Sequence, residues 1–192
     1  MTDGRPRDLV DVLVADHLVL EDLFVELERG GVTSERRRDL VDVTIAELVR
    51  HTNAEEQYLY PAARRYLADG DEVAERELAG HRAAERLMND LMSTDVMDPE
   101  FDGLVARLVD RIRAHIRDDE ESLLAPLRAE CDPETLVALG TEVISTKLLS
   151  PTRPHPSAPH RPPLNKVTAP IVSLLDHAAD AFADRPTSVD EL

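Results

Sequence analysis

Four histidines are spaced so that each of four successive helical segments carries one. Two of them are followed four residues later by an acid, Glu55 after His51 and Asp119 after His115. Residues four apart share one face of a helix and lie about 6 Å apart along its axis. Two helices can therefore each direct an imidazole and a carboxylate to the same interior point. The four histidines are His17, His51, His81 and His115.

Helices packed as a bundle would bring these groups together at one dry centre. Mixed nitrogen and oxygen ligands of this kind suit a pair of iron atoms, although manganese or zinc could occupy the same ligands. The histidines lie within apolar stripes, as His17 does between Leu13 and Leu20. Burying imidazoles and carboxylates among leucines costs free energy unless they are hydrogen-bonded or bind a cation. The pattern therefore predicts a metal centre.

The positions of apolar residues predict an all-α fold. They recur at three- and four-residue steps from Asp8 to about Ala129, and no alternation typical of strands occurs before residue 132. Breaks at Gly30-Gly31, 69–71 and 93–99 divide this stretch into four helices. The short connections favour an up-down-up-down four-helix bundle formed by residues 8–130.

Two prolines affect the expected ends of these helices. Pro61 could kink the second helix or begin a new turn that carries it to Leu67. Asp98 followed by Pro99 has the form of a cap and a first-turn proline for the fourth helix.

Two further segments follow the bundle. In an accessory region, 131–150, a short fifth helix over 134–149 is expected to pack across one end of the bundle. The tail, 151–192, begins with a proline-rich stretch that cannot be helical and should be extended or lie ordered against the bundle. It ends in a small amphipathic helix over 169–183, expected to dock on the bundle or on a neighbouring subunit.

Composition limits the classes of partner. The net charge of −17 argues against nucleic acid and against anionic membranes. No apolar stretch approaches the roughly 20 residues of a membrane span, and the first residues lack the core of a secretory signal. Cys131 is the only cysteine, so the sequence offers no internal disulfide and no thiolate metal cluster. A cytoplasmic location is the simplest expectation.

The order of these histidines and acids resembles the hemerythrin-like, or HHE cation-binding, domain over roughly residues 8–130. The tail around 153–159 is similar to an extension found on actinobacterial members of that family. Two strings carry the resemblance: His51-Thr-Asn-Ala-Glu55-Glu56-Gln-Tyr58-Leu-Tyr60-Pro61 and His115-Ile-Arg-Asp-Asp119-Glu120-Glu121-Ser-Leu123-Leu124.

The resemblance implies two iron ions joined by carboxylates and an oxo or hydroxo bridge. Either Asp119 or Glu120 could bridge, because the family usually has glutamate where Asp119 stands. Oxygen carriers of the family have a further histidine where this chain has Glu85, so reversible oxygen transport is the less expected role. The implied terminal ligands are His17, His51, His81 and His115, and the implied bridging carboxylates are Glu55 and Asp119.

Other side chains at helical spacing are weaker candidates. Tyr58, seven residues after His51, could be a hydrogen-bond donor at the site, a ligand through its oxygen, or a core residue. Glu47 and Glu85 each lie four residues from a cluster histidine and could contact the metal or its ligands. The histidines outside the bundle segment are expected to be structural or exposed: His155, His160 and His177.

These observations favour a non-haem di-iron protein that reacts with O2, peroxide or nitric oxide in oxidative stress handling, with catalase-like activity as one form. The partner would be a small diatomic molecule or peroxide, and homodimerisation is an open option. A different class of function is an iron or oxygen sensing or storage module that signals through its tail. A helical scaffold with vestigial histidines is a third reading.

Overall fold

The computed structural model describes residues 6–155, 164–183 and 185–192, and its regular structure in those ranges is entirely helical. This confirms the all-α class. Among the described residues, no helix combines the length and the apolar character needed to cross a membrane. The helices are α1 (Leu9–Arg29), α2 (Ser34–Ala54), α3 (Tyr60–Tyr66), α4 (Gly70–Ser93), α5 (Phe101–Asp119), α6 (Ala125–Glu130), α7 (Pro133–Lys147) and α8 (Leu164–Ala183).

Hydrogen bonds at one end of the bundle establish its topology. Arg37, near the start of α2, donates to the Leu27 carbonyl near the end of α1 and to Asp102 near the start of α5. Arg38 donates to the Leu91 carbonyl near the end of α4. The starts of α2 and α5 therefore lie beside the ends of α1 and α4, as in an up-down-up-down bundle.

Two helices of the bundle each contain one wide, π-helical turn. The turn Glu55–Leu59 joins α2 to α3, and the turn Glu120–Leu124 joins α5 to α6. In each case a proline, Pro61 or Pro126, is the second residue of the helix that follows. Proline lacks an N–H and its ring collides with an α-helical carbonyl four residues earlier, and a wider turn relieves both conflicts. Pro61 thus lies within a helix that continues to Tyr66.

The fourth bundle helix begins later than its sequence suggests. Asp98 accepts a hydrogen bond from the Glu100 amide at 2.8 Å, and the Phe101 amide bonds the Asp98 carbonyl at 3.0 Å. Asp98 therefore closes a turn that precedes the helix, and α5 starts at Phe101 with Pro99 outside it.

Helix α7 lies along the flank of the bundle rather than across its end, which corrects the expectation for the fifth helix. Gly140 packs against the backbone of Arg7 and Leu9, and Lys147 forms an ion pair with Asp16. These contacts advance together along α1 and α7. A side chain at position 140 would collide with the α1 backbone, so glycine permits this close approach.

The C-terminal tail docks on α2. Asp180 of α8 accepts from Arg153 and Arg185, and Arg185 also donates to the Asp42 carbonyl of α2 at 3.0 Å. His155 pairs with Asp176 at 3.0 Å, whereas the His177 side chain is exposed. Helix α8 begins five residues before the expected start at 169. His160 lies outside the described residues.

Two apolar clusters fill the interior of the bundle. One surrounds Leu13 and Leu123, and the other surrounds Leu20 and Phe24. His17 lies between Leu13 and Leu20 on α1, so its imidazole emerges at the boundary between the clusters. The candidate site occupies this polar layer.

Candidate metal centre

The side chains expected to form a metal centre meet inside the bundle. The histidines are between 1 % and 8 % exposed, and both acids are fully buried. Among the described residues, possible ligand atoms form three groups, and within each group the atoms lie within 4.8 Å of one another. The groups are His17, His51, Glu55 and Asp119; Glu55, His81 and His115; and Glu77, His115 and Asp119.

Glu55, the first residue of the turn that joins α2 to α3, occupies the middle of this cluster. Its Oε1 lies 3.0 Å from His51 Nε2. Its Oε2 lies 3.2 Å from His81 Nε2 and 3.4 Å from His115 Nε2. Asp119 approaches from the opposite helix, with Oδ2 3.6 Å from His115 Nε2. One carboxylate thus reaches histidines of three helices.

The histidines form two pairs. The ring centroids of His17 and His51 are 4.9 Å apart, and those of His81 and His115 are also 4.9 Å apart. The rings of His51 and His115, which belong to different pairs, are 6.4 Å apart. His51 of the first pair contacts Oε1 of Glu55, whereas His81 and His115 of the second pair contact Oε2.

Every cluster histidine has a carboxylate at its outer nitrogen. An N–H at Nδ1 that donates to a carboxylate fixes the tautomer and leaves the Nε2 lone pair directed into the centre. This is the arrangement of imidazoles that bind metal through Nε2. The pairs at Nδ1 are His17 with Glu120 at 2.9 Å, His51 with Asp16 at 3.4 Å, His81 with Glu56 at 2.9 Å and His115 with Glu77 at 3.0 Å.

Several buried polar atoms at the centre have no hydrogen-bond partner in the described protein. They include Nε2 of His17 and His51, Oε1 of Glu55 and both carboxylate oxygens of Asp119. His51 Nε2 and Glu55 Oε1 are close but are not aligned as a hydrogen bond. Leaving such groups unsatisfied in an apolar interior is costly, and a cation would satisfy all of them. The donor set therefore fits a bound metal.

The protonation equilibria of the cluster are strongly displaced. Burial and then the charge of His51 lower the pKa of His17 to about 4. Burial also opposes the charge on His51, but Glu55 and Asp16 outweigh it and raise that pKa to about 9. Burial and the charge of Glu55 raise the pKa of Asp119 well above its usual value. Without a cation, only protons bound within the cluster can balance the charges of its buried carboxylates.

Tyr60, rather than Tyr58, faces the centre. The Tyr60 hydroxyl lies 2.8 Å from His81 Nε2, whereas the Tyr58 hydroxyl bonds Thr146 Oγ1 of α7 at 2.8 Å. The wide turn explains the difference. In an α-helix the residue four positions after Glu55, Leu59, would follow it on the same face. The π-helical turn adds one residue, so that Tyr60 follows Glu55 instead and its amide bonds the Glu55 carbonyl.

The remaining acids suggested by spacing take different positions. Asp119, and not Glu120, points into the centre, while Glu120 is 45 % exposed and holds the outer nitrogen of His17. Glu47 pairs with Arg50 at 3.0 Å. Glu85 is half-buried one turn beyond His81 and does not belong to the three groups of converging ligand atoms.

Three of the carboxylates at outer nitrogens were not expected from the sequence. Asp16 and Glu56 directly adjoin His17 and Glu55 in the chain, yet each bonds a histidine of another helix. Glu77 lies four residues before His81, a spacing that could have drawn attention to it, but its partner is His115. These contacts cross between helices, so they depend on packing.

Comparison of this sequence with known proteins identifies its family. The model of the hemerythrin HHE cation binding domain matches residues 8–127. An uncharacterized hemerythrin-like protein of Schizosaccharomyces pombe is 27 % identical over 141 residues, which cover 73 % of this chain and 70 % of that protein. A DNA nickase of Nostoc is 27 % identical over 147 residues, and this chain spans only 41 % of its length.

A solved structure shares the fold. The hemerythrin HHE cation binding domain-containing protein of Mycobacterium kansasii superposes with a TM-score of 0.65 at 22 % identity, covering 74 % of this chain and 86 % of that one. A buried histidine and carboxylate cluster within a cation-binding domain indicates metal binding. The chain belongs to the hemerythrin HHE cation binding domain family.

Proposed function

We propose that this protein binds two iron ions at the buried centre and that the iron pair reacts with O2, hydrogen peroxide or nitric oxide. One observation carries the proposal. Buried Nε2 and carboxylate atoms that have no hydrogen-bond partner among the described residues lie within 4.8 Å of one another, and a carboxylate bonds the Nδ1 of each histidine. Imidazole and carboxylate ligands together suit iron. The proposed ligands are His17, His51, Glu55, His81, His115 and Asp119.

The pairing of the histidines supports two ions rather than one. His17 and His51 would hold one ion, and His81 and His115 the other. Glu55 presents its two oxygens to different histidine pairs, and Asp119 belongs to groups containing His17 and His115. These contacts support a role for both carboxylates at both proposed ions.

A bound iron pair supplies two-electron exchange with a small oxidant. The chain supplies the surroundings. The apolar clusters around Leu13 and Leu20 keep bulk water from the centre, and the outer carboxylates keep the imidazoles oriented. The Tyr60 hydroxyl, 2.8 Å from His81 Nε2, is a proton donor within the centre. Burial and the neighbouring Glu55 raise its pKa well above its usual value, so it stays protonated.

Peroxide turnover is the form of reactivity that we favour over reversible oxygen transport. Glu85 stands where the resemblance places a further histidine in oxygen carriers. The centre instead offers the protonated Tyr60 hydroxyl, which can donate a hydrogen bond to peroxide within the centre.

Iron-loaded protein tests this function directly. Oxygen release after addition of hydrogen peroxide, and loss of nitric oxide and uptake of O2 in separate assays, would be compared with the Glu55→Gln variant. The proposal expects release of O2, loss of nitric oxide or uptake of O2 with the parent protein and a rate at least tenfold lower with the variant. Iron-loaded protein that consumes none of the three molecules would contradict it.

A sensing or storage role is the second candidate, and the docking of the tail favours it. Arg50 of α2, the residue before His51, donates to the Thr187 carbonyl, and Arg36 donates to the Leu192 carbonyl. The tail therefore rests on the helix that carries the proposed ligand His51 and leads directly into Glu55. Limited proteolysis distinguishes the roles, because a sensor should protect its tail only when metal is bound.

The nickase relative does not extend the proposal to DNA. This chain spans 41 % of that protein's length, and its net charge of −17 opposes binding to a polyanion. The part of the nickase that this chain does not match has no bearing on the metal centre proposed for this chain.

A further inference from the structure

Helix α7 contacts the metal centre through one side chain. Lys147, in its last turn, forms an ion pair with one oxygen of Asp16, and the other oxygen of Asp16 lies 3.4 Å from His51 Nδ1. Both partners are largely shielded from solvent, with Lys147 20 % and Asp16 14 % exposed. Lys147 lies outside residues 8–127, the part that matches the family model.

A similar chain of contacts exists inside the bundle. Arg76 Nε lies 3.0 Å from one oxygen of Glu77, whose other oxygen bonds His115 Nδ1 at 3.0 Å. In each histidine pair, at least one member thus bonds a carboxylate that is fixed by a cation. For His115 the cation comes from the bundle, whereas for His51 it comes from the accessory helix.

We propose that Lys147 is a positioning residue for the metal centre: it fixes Asp16, which orients His51 toward the ion shared with His17. The inference rests on the proposed function, since it concerns affinity for metal at that centre. It assigns to α7 a role in building one of the two ion sites.

Positioning and electrostatics predict opposite effects of removing this lysine. A cation near a metal ion repels it, so loss of the charge alone would tighten metal binding. Loss of the ion pair frees the Asp16 carboxylate to turn toward solvent, and His51 then loses the partner that fixes its tautomer and ring orientation. If Lys147 acts by positioning, its removal weakens metal binding.

Titration of the metal-free full-length protein with Co²⁺, followed by its visible absorption, measures the two binding steps separately. In Lys147→Met, we expect the dissociation constant of one Co²⁺ equivalent to rise about tenfold. Substitution of a residue that hydrogen-bonds a metal ligand typically lowers metal affinity by about 10- to 100-fold, and Lys147 acts one residue further away. The dissociation constant of the other equivalent should stay within twofold of the parent value. Lys147→Arg, which keeps a cation able to reach a carboxylate, should restore most of the affinity.

A double-mutant cycle identifies the route. Asp16→Asn should itself weaken one equivalent by about 10- to 100-fold. Adding Lys147→Met to Asp16→Asn should cause no further loss, because Lys147 acts through Asp16. Additive losses would overturn the inference.

Arg50→Gln is the matched control for charge. Arg50 is half-buried, is paired with Glu47 and directly precedes His51 in the chain, but its carboxylate partner is not one of those bonded to a cluster histidine. It should leave both Co²⁺ constants within twofold. Unchanged or tighter binding in Lys147→Met would overturn the inference while leaving the proposed function standing, whereas a parent protein that binds no Co²⁺ would overturn both.

Discussion

Glu55 and Asp119 occupy equivalent places on two helices of the bundle, and their carboxylate oxygens lie within 4.8 Å of each other. Each follows a cluster histidine by four residues; Glu55 is the first residue of one π-helical turn, and Asp119 directly precedes the other. Burial and the charge of Glu55 raise the pKa of Asp119 well above its usual value. Although burial opposes the charge of Glu55, the charges of His51 and His115 hold the pKa of Glu55 well below its usual value. A shared pair of cations would remove the repulsion between the two carboxylates.

Glu55→Gln and Glu47→Gln form a matched pair, since each acid lies four residues from His51 on the same helix. Glu55 contacts histidines of three helices, whereas Glu47 pairs with Arg50. We expect Glu55→Gln to reduce iron from about two per chain to less than one, because a neutral amide is a poor bridge between metal ions. Glu47→Gln should retain the iron content of the parent in elemental analysis. The reverse result would show that the wrong turn of the helix has been assigned to the site.

The two tyrosines after His51 separate a role at the centre from a role in packing. Tyr60→Phe removes the hydroxyl beside His81 and should lower the rate of peroxide consumption about tenfold or more, as loss of a proton donor does. Tyr58→Phe removes the bond to Thr146 and should cost about 1 kcal/mol of unfolding free energy. Its peroxide rate and its absorption spectrum should match those of the parent. An altered spectrum in Tyr58→Phe alone would contradict these placements.

The same substitution at two glycines should change stability in opposite directions. A Cβ at Gly140 would lie 2.5 Å from the Arg7 carbonyl oxygen, so Gly140→Ala should push α7 from α1 at a cost of about 1–3 kcal/mol. A Cβ at Gly103 meets no atom within 4 Å, and Gly103→Ala should stabilise α5 by about 0.5–1 kcal/mol. Chemical denaturation of both variants measures the two changes. Equal effects would mean that α7 does not pack closely on α1.

Docking of the tail should depend on pH through Asp180. Although burial opposes its charge, Thr152, Arg185 and Arg153 hold the pKa of Asp180 below its usual value. A carboxyl whose folded pKa is lowered contributes stability above its unfolded pKa of about 4, and this stability is lost as the pH falls toward the folded pKa.

Asp180→Asn should therefore destabilise metal-free protein at pH 7 by about 2 kcal/mol or more, and the difference from the parent should shrink below about pH 4. Thermal unfolding across this range measures it. Asp22→Asn, at an exposed position of α1, should show little difference at either pH. A difference that persists unchanged in acid would exclude the ionised carboxylate as its source.

The sequence allowed the bundle to be predicted because its apolar period is regular. The breaks at Gly30-Gly31 and before α4 and α5 fall between helices, and His51 with Glu55 obeys the four-residue spacing. That spacing is a local property of an α-helix, so it holds wherever the helix is regular.

Two features of the site depended on information that local spacing does not contain. The π-helical turn after Ala54 shifts the face of the helix, so that Tyr60 occupies the position expected of Tyr58. The acids behind the histidines come from other helices, as Asp16 does for His51. Their partners are set by the packing of the bundle, which no spacing along one helix reveals.

Iron content of the purified protein tests the central claim most directly. Protein produced with ample iron would be analysed for metals alongside Glu55→Gln and Glu47→Gln, with protein concentration determined independently. The buried cluster predicts about two irons per chain in the parent and in Glu47→Gln, as expected of a carboxylate-bridged pair within a helical bundle. A parent protein that contains no iron under these conditions would contradict the account.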